Sequence, residues 1–266
     1  MQIHVLLEPD QTPDQLTRLA LLCEQVGIST MWLQNYVACR DPFMALVPAA
    51  LATRRVRLGV CVVSPWEMHP VKMANSLLTL HEYSSGRAGL VIGGGGEWPA
   101  RLGIEVVKRV RAVREAIELV RRGCSGQALT YQGELYKVYG YRPKFGIGGG
   151  IEQPPLVYTG ANQPQMLRAT VPAADGVMYS DMTRRLIATT VTRTGHWWRN
   201  KGDGAIIAST ISGPGISSRT RRLRDVKPAG NYCAGLAGQL VPGIFSECRR
   251  MRRGPAAEAC ILSGIP

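Results

Sequence analysis

Residues 3–33 read IHVLLEPDQTPDQLTRLALLCEQVGISTMWL, and this stretch decides the fold class. Ile3–Leu7 is a short apolar run closed by Glu8-Pro9-Asp10. Thr12-Pro13-Asp14-Gln15 then offers an N-cap, a proline at the first helical position and a capping-box glutamine, so a helix starts there. Leu16, Leu19, Ala20, Cys23 and Val26 recur at helical spacing, Gly27 stops the helix, and Ser29–Leu33 is the next strand. A strand, a helix and a second strand in about thirty residues are the opening of a βαβ unit.

The rhythm continues outward from there. A helix is expected through Phe43–Ala52, a buried strand at Val56–Val63, a helix at Val71–Tyr83, a strand at Ala88–Ile92 and a helix at Val107–Arg122 ended by Gly123. Leu129–Val138 alternates with period two around Gln132-Gly133 and reads as a hairpin inserted after the fourth helix. Gly140–Gly150 is a glycine-rich loop, followed by a strand at Leu156–Thr159, a helix at Gln163–Val171 and a strand at Ala174–Tyr179. The six strands are continuous apolar runs rather than alternating ones, as a parallel sheet covered on both faces requires. An incomplete TIM barrel and a doubly wound sheet both satisfy this pattern.

After about Arg193 the rhythm stops. Glycine and proline interrupt nearly every candidate element, and only Leu236–Phe245 is apolar enough to be one. The charge changes at the same place. Residues 195–266 carry 11 Lys+Arg against 4 Asp+Glu, a net of +7 that makes up more than half of the chain's +13. A polyanion-binding patch at Arg219–Arg224 is one reading, but the interleaved aromatics expected of a single-strand platform are missing apart from Trp197-Trp198. A solvated or disordered segment is the preferred one, and nucleic acid is not expected as a partner. The seven cysteines at 23, 39, 61, 124, 233, 248 and 260 show no CxxC spacing, so neither a disulfide framework nor a metal site is indicated. No run approaches the roughly 18 apolar residues of a membrane span, and MQIHVLLEPD has no basic leader, so a cytoplasmic protein is expected.

Four strand ends carry candidate chemistry. Gly93-Gly94-Gly95-Gly96-Glu97 follows the fourth strand, where missing side chains let a ring or phosphate approach the backbone and Glu97 stands ready for proton transfer. It is not a dinucleotide fingerprint, which follows the first strand and opens directly into a helix. Thr159-Gly160-Ala161-Asn162 precedes a helix start and is a natural phosphate seat, or else an ordinary tight turn. Cys61-Val62-Val63-Ser64-Pro65 closes the third strand, and His69-Pro70 opens the next helix, His69 contacting a ligand or serving as a cap. Glu8 and Asp10 follow the first strand as further proton-transfer candidates.

Taken in order and spacing, these segments resemble the bacterial-luciferase-like oxidoreductases. The resemblance rests on Arg40-Asp41-Pro42-Phe43, Ala52-Thr53 with Val56-Arg57-Leu58-Gly59, Ser64-Pro65 with His69-Pro70, Ser85-Gly86-Arg87, Ile92–Glu97, Arg114-Glu115-Ala116, Thr159–Asn162 with Met166-Leu167, and Ala174-Asp175-Gly176. It runs most closely to the branch using the deazaflavin coenzyme F-420, such as methylenetetrahydromethanopterin reductases and glucose-6-phosphate dehydrogenases. The resemblance implies a (β/α)8 TIM barrel with a flavin or deazaflavin across the C-terminal strand ends. It further implies a non-prolyl cis peptide at Cys61–Val62 behind the cofactor ring, a phosphate turn at Thr159-Gly160-Ala161, and acidic residues near the ring at Glu97 and Glu8. Cys61, Val62, Ser64 and Gly94-Gly95-Gly96 join the cofactor-binding set, and a homodimer is the implied assembly. Where related chains carry an Asp-His pair after the second strand, this one has Asn35-Tyr36, and Tyr36 can hydrogen-bond or stack at a ring rather than relay protons near neutral pH.

The expected organisation is therefore a luciferase-like barrel over 1–194, incomplete or irregular after its sixth strand, and an atypical basic segment over 195–266 that is frame-shifted or disordered. The expected activity is hydride transfer between F-420 and a small organic substrate, with an FMN-dependent monooxygenase or a non-catalytic remnant of the family as alternatives.

Overall fold

The computed structural model describes residues 2–145, 152–182, 205–211 and 259–263. Its elements run β1 (Ile3–Leu7), α1 (Pro13–Gln25), β2 (Thr30–Gln34), α2 (Pro42–Ala45), α3 (Val47–Ala52), β3 (Arg57–Val63), α4 (Pro70–Tyr83), β4 (Ala88–Gly93), α5 (Trp98–Arg101), α6 (Arg109–Gly123), β5 (Leu129–Gln132), β6 (Lys137–Tyr141), β7 (Leu156–Gly160), α7 (Pro164–Thr170), β8 (Gly176–Met182), β9 (Ala205–Ile211) and β10 (Ala259–Ser263). Eight parallel strands close a barrel in the order β1-β2-β3-β4-β7-β8-β9-β10 and back to β1, while β5 and β6 form a separate antiparallel hairpin. The doubly wound alternative is thereby excluded.

Local chemistry accounts for the first unit. Thr12 Oγ1 accepts from Gln15 N at 3.3 Å while Gln15 Oε1 accepts from Thr12 N at 2.8 Å, a complete capping box. The single helix expected over Phe43–Ala52 is two, joined at Leu46. Pro48 explains the break, because its missing N–H cannot continue the ladder from α2 yet is harmless in the first turn of α3. Beyond β8, the described residues add β9 and β10, two strands where the sequence showed no element. Each is a five- to seven-residue apolar run without a recognisable helix beside it, which periodicity alone leaves ambiguous. The Leu236–Phe245 candidate, Trp197-Trp198 and the Arg219–Arg224 cluster lie outside the described residues.

The barrel is buried on both faces. Leu58, Val60, Leu90 and Val157 point outward into the layer shared with Leu77, Leu78, Ile117 and Val120 of the helices. Trp32, Cys61, Val91, Tyr158 and Met178 form a distinct cluster of side chains alternating with those on the same strands. Trp32 is its largest member, 1% exposed and edge-on to Tyr158 with ring centroids 5.5 Å apart. Gly59 and Gly89 leave the space the indole fills: a β-carbon at Gly59 would coincide with the ring, and one at Gly89 would meet it at 3.2 Å.

Arg87, between α4 and β4, ties the helical layer to the strands. Its Nη1 donates to Thr53 Oγ1 at 3.0 Å and to the Val56 carbonyl at 2.5 Å, and its Nη2 donates to the carbonyls of Ala50 and Thr53 at 3.0 and 2.9 Å. The guanidinium thus satisfies the carbonyls that end α3, which have no partner within the helix. The hairpin is fastened in a comparable way. Glu115, 3% exposed on α6, accepts from the backbone N–H of Glu134, Leu135 and Tyr136 at 2.9, 3.0 and 3.2 Å.

His4 on β1 is 3% exposed, and its Nδ1 accepts from the Trp32 indole N–H at 3.3 Å. Burial, and secondarily the Arg57 charge, push its pKa down to about 4. The unfolded chain therefore binds a proton at pH values where the folded one does not, so stability present above about pH 6.5 drains away as the pH falls through 4. The expected loss between pH 7 and pH 4 from this group is about 3 kcal/mol. Urea unfolding of wild type and His4→Gln at both pH values checks it: the pH difference should shrink by that amount in the variant, and an undiminished difference would assign the acid sensitivity elsewhere.

Among the described residues, Cys23, Cys61 and Cys124 are buried free thiols and Cys39 an exposed one. No group of residues in that set could hold a metal ion, and no helix in it is long and apolar enough to cross a membrane.

Candidate active site at the C-terminal strand ends

The C-terminal ends of β1, β2, β3, β4 and β7 bring Glu8, Asn35, Ser64, Gly94 and Ala161 to one mouth of the barrel. At β3 the peptide bond between Cys61 and Val62 is cis, and the β3–β4 register shifts between Val60 and Val63. Cys61 turns inward and is 2% exposed, whereas Val62 is 37% exposed at the mouth. Burial first, and then the neighbouring Glu8 carboxylate, push the Cys61 thiol far up, so it is a neutral wall group.

Val62 reaches across two strand ends. A β-carbon on Gly93 would lie 2.5 Å from Val62 Cγ1 and 3.1 Å from the Gly160 carbonyl, and one on Gly160 would meet Val62 Cγ2 at 3.4 Å. The glycines at 93 and 160 therefore let one apolar side chain lie over β4 and β7 as a platform. Beyond it, the loop after β4 folds back onto β3. Gly95, with φ of +74°, packs against Ser64 so closely that a β-carbon would meet Ser64 Oγ at 2.8 Å, and both the conformation and the space demand glycine there. Gly94 lies against the aliphatic stem of Arg109, with Met166 beside it. The Arg109 guanidinium in turn sits 5.9 Å from the centre of the Trp66 ring.

The acidic candidates differ in setting. Glu8 is exposed at the end of β1, its Oε1 accepting from Gln34 Nε2 at 2.7 Å. Glu97 stands on the outer rim, 71% exposed and paired with Arg101 at 2.8 Å. Asp10 lies in the turn after β1, where its carbonyl accepts from Arg40 at 3.1 Å. His69 is a cap: its Nδ1 accepts from Val71 N at 3.2 Å, and its ring stands edge-on to Tyr136. At the end of β7, Thr159 is fully buried with its hydroxyl donating to Thr170 Oγ1 at 2.9 Å. A ligand at that turn would meet backbone rather than the Thr159 side chain. The helix behind it, α7, has seven residues and no side-chain cap at Gln163.

Beside the platform opens a cleft of about 280 Å³, lined by Asn35, Tyr36, Phe43, Val63, Glu67 and Leu102 among others. Glu67 is a residue that sequence reasoning missed. Asn35 Nδ2 donates both to Glu67 Oε2 at 2.7 Å and to the Val62 carbonyl at 3.2 Å, and Asn35 N donates to the Cys61 carbonyl at 2.7 Å. Burial raises the Glu67 pKa, with the Ser64 hydroxyl and the Asn35 amide opposing that shift. Ser64 Oγ is fully buried, close to that carboxyl, and without a partner in hydrogen-bond geometry among the described residues. The available signal was a single carboxylate in the otherwise uncharged strand-end loop Ser64–Met68. Tyr136 Oη, from the hairpin, donates to the Pro65 carbonyl of that loop at 3.4 Å.

Residues 1–213 match the family model described as luciferase-like monooxygenase. A 5,10-methylenetetrahydromethanopterin reductase from Archaeoglobus fulgidus is 32% identical over 179 residues, 67% of this chain and 52% of that protein. An F420-dependent glucose-6-phosphate dehydrogenase from Amycolatopsis mediterranei is 27% identical over 183 residues, 62% of this chain and 52% of that protein. The chain thus spans about half the length of these relatives. Among solved structures, the coenzyme F420-dependent tetrahydromethanopterin reductase from Methanopyrus kandleri superposes with a TM-score of 0.68 at 21% identity, over 79% of this chain and 65% of that one, a likeness of fold.

Proposed function

Because the chain belongs to the luciferase-like monooxygenase family, we propose that it is an oxidoreductase moving a hydride between a bound deazaflavin of the F-420 type and a small organic substrate. The observation that carries this reading is the Val62 platform. An exposed apolar side chain laid over two glycine strand ends is a surface a planar ring can cover, and the cradle would be filled by any β-carbon at Gly93 or Gly160. The residues present therefore fit such a cofactor. Val62 and the Cys61 backbone would back the ring. The loop Gly94–Gly96 and the backbone of Thr159-Gly160-Ala161 would hold its polar parts, whereas Ser64, expected from the sequence to touch the cofactor, is fully buried under Gly95 and would act only by seating that loop. When bound, the cofactor supplies two-electron hydride chemistry, and the protein supplies position and electrostatics.

In this reading Glu8 and Glu97 exchange protons between the mouth and solvent, with Tyr36 packing or hydrogen-bonding at the ring. The deazaflavin is preferred because the glucose-6-phosphate dehydrogenase relative is named F420-dependent. FMN with a monooxygenase reaction is the second reading, favoured by the description of the family model. The same reading takes the assembly to be a homodimer and the setting the cytoplasm. Absorbance and fluorescence titration of the full chain with F-420 and with FMN tests it. F-420 is expected to bind more tightly than FMN, and Val62→Asp, which puts a carboxylate beneath an apolar ring, to weaken binding on the order of a hundredfold. Binding of neither cofactor would sink the oxidoreductase reading.

A further inference from the structure

Resting on that oxidoreductase reading, we propose that Glu67 is the acid that protonates a substrate's carbonyl oxygen as hydride reaches the carbonyl carbon, with Asn35 positioning its carboxyl in the cleft and the Ser64 hydroxyl beside it. The substrate class this names is a small aldehyde or ketone. The geometry is local and specific. Glu67 lines the cleft that opens beside the Val62 platform, and one amide, Asn35 Nδ2, holds both the Glu67 carboxyl and the Val62 carbonyl, so the acid and the platform share a hinge point. An amide in that place can donate to a carboxyl in either protonation state, which a second carboxylate could not do. The fully buried Ser64 hydroxyl, with no partner in hydrogen-bond geometry among the described residues, lies next to the same group.

The other charged and titratable groups facing the cleft are Tyr36, Cys39, Arg40 and Asp41. Arg40 Nη1 is turned to the carbonyls of Asp10 and Gln11 at 3.1 and 3.3 Å, and Asp41 Oδ1 caps α2 by accepting from Met44 N at 2.9 Å. Neither of these two charges is spent on Glu67. With apolar Phe43, Val63, Met68 and Leu102 in the same wall, burial favours the protonated acid, so Glu67 keeps its proton into a pH range where an exposed glutamate has lost it. In the step, hydride adds to the carbonyl carbon, supplied by the reduced deazaflavin or flavin of the proposed reading, which is oxidised by two electrons. The C=O π pair moves to oxygen, the Glu67 O–H bond breaks, an O–H bond forms on the product alcohol, and the carboxylate recovers its proton from water.

The test uses the full chain, with F-420 as the cofactor probe and acetone, propanal and benzaldehyde as carbonyl probes. Infrared difference spectra across a pH titration should show a protonated-carboxyl band persisting above the ordinary glutamate range, absent from Glu67→Gln and extended to higher pH in Ser64→Ala, which loses an opposing hydroxyl. Glu67→Gln should keep its F-420 Kd within about threefold of wild type while kcat falls about a hundredfold and the alkaline limb of the kcat profile disappears. A band unchanged in Glu67→Gln, or an unchanged kcat and alkaline limb in that variant, overturns the proposal. So does a wild type that binds F-420 yet reduces none of the carbonyls. Failure of wild type to bind either F-420 or FMN is a different result, which removes the oxidoreductase reading on which the proposal stands.

Discussion

Gly59→Val is expected to destabilise the protein by about 3–5 kcal/mol, as much as deleting the indole it would strike. Any β-carbon at position 59 falls on the Trp32 ring, and Trp32 is 1% exposed, pressed edge-on to Tyr158 and bonded through its N–H to His4. The ring is rigid and buried, and a β-carbon on Gly89 would already meet its far edge at 3.2 Å, so it has little room to turn aside. The measurement is a double-mutant cycle by chemical denaturation. Trp32→Ala alone should cost a similar amount, and the pair should cost clearly less than the sum, because the valine occupies space the indole has vacated. Strict additivity would show that the two residues do not compete for one volume.

Arg87→Met should be the next most damaging change described here, at about 3–5 kcal/mol. Methionine keeps much of the aliphatic stem but none of the donors. The carbonyls of Ala50, Thr53 and Val56 and the Thr53 hydroxyl then lose a charged partner at once, in a half-buried setting where water replaces it poorly. Arg87→Lys separates charge from geometry. A single ammonium cannot reproduce the planar fork that reaches all four acceptors, so it should recover less than half of the loss. Full recovery by lysine would mean that charge alone holds the end of α3.

What could be read from residue order and what could not divide along physical lines. Thr12, Pro13, Gln15 and Gly27 specify a helix start and stop through local hydrogen bonds and backbone angles, and the structure places α1 accordingly. Glycine-rich strand ends were legible for the same reason. The role of Gly59 was not, because in a strand buried on both faces the inward and outward positions carry equally apolar residues, and only the closed ring tells which side holds Trp32. The inward turn of the Thr159 hydroxyl was not legible either, because it depends on Thr170, eleven positions on. Glu67 was passed over because its meaning depends on Asn35, thirty-two positions away in sequence. The strands β9 and β10 escaped notice because a short apolar run between glycines and prolines is ambiguous until a neighbour claims its backbone.

The hairpin of β5 and β6 contributes no strand to the ring, and an engineer trimming the fold to its minimum would remove it first. Its fastenings argue otherwise. Glu115 clasps its turn to α6, Tyr141 reaches Asn75 on α4, and Tyr136 touches both the Pro65 carbonyl and the His69 ring. The segment is a buttress standing outside the wall it supports, and the stone it steadies is the loop that carries Ser64 and Glu67. Shortening it would leave a barrel of the same height with a mouth that no longer holds its shape.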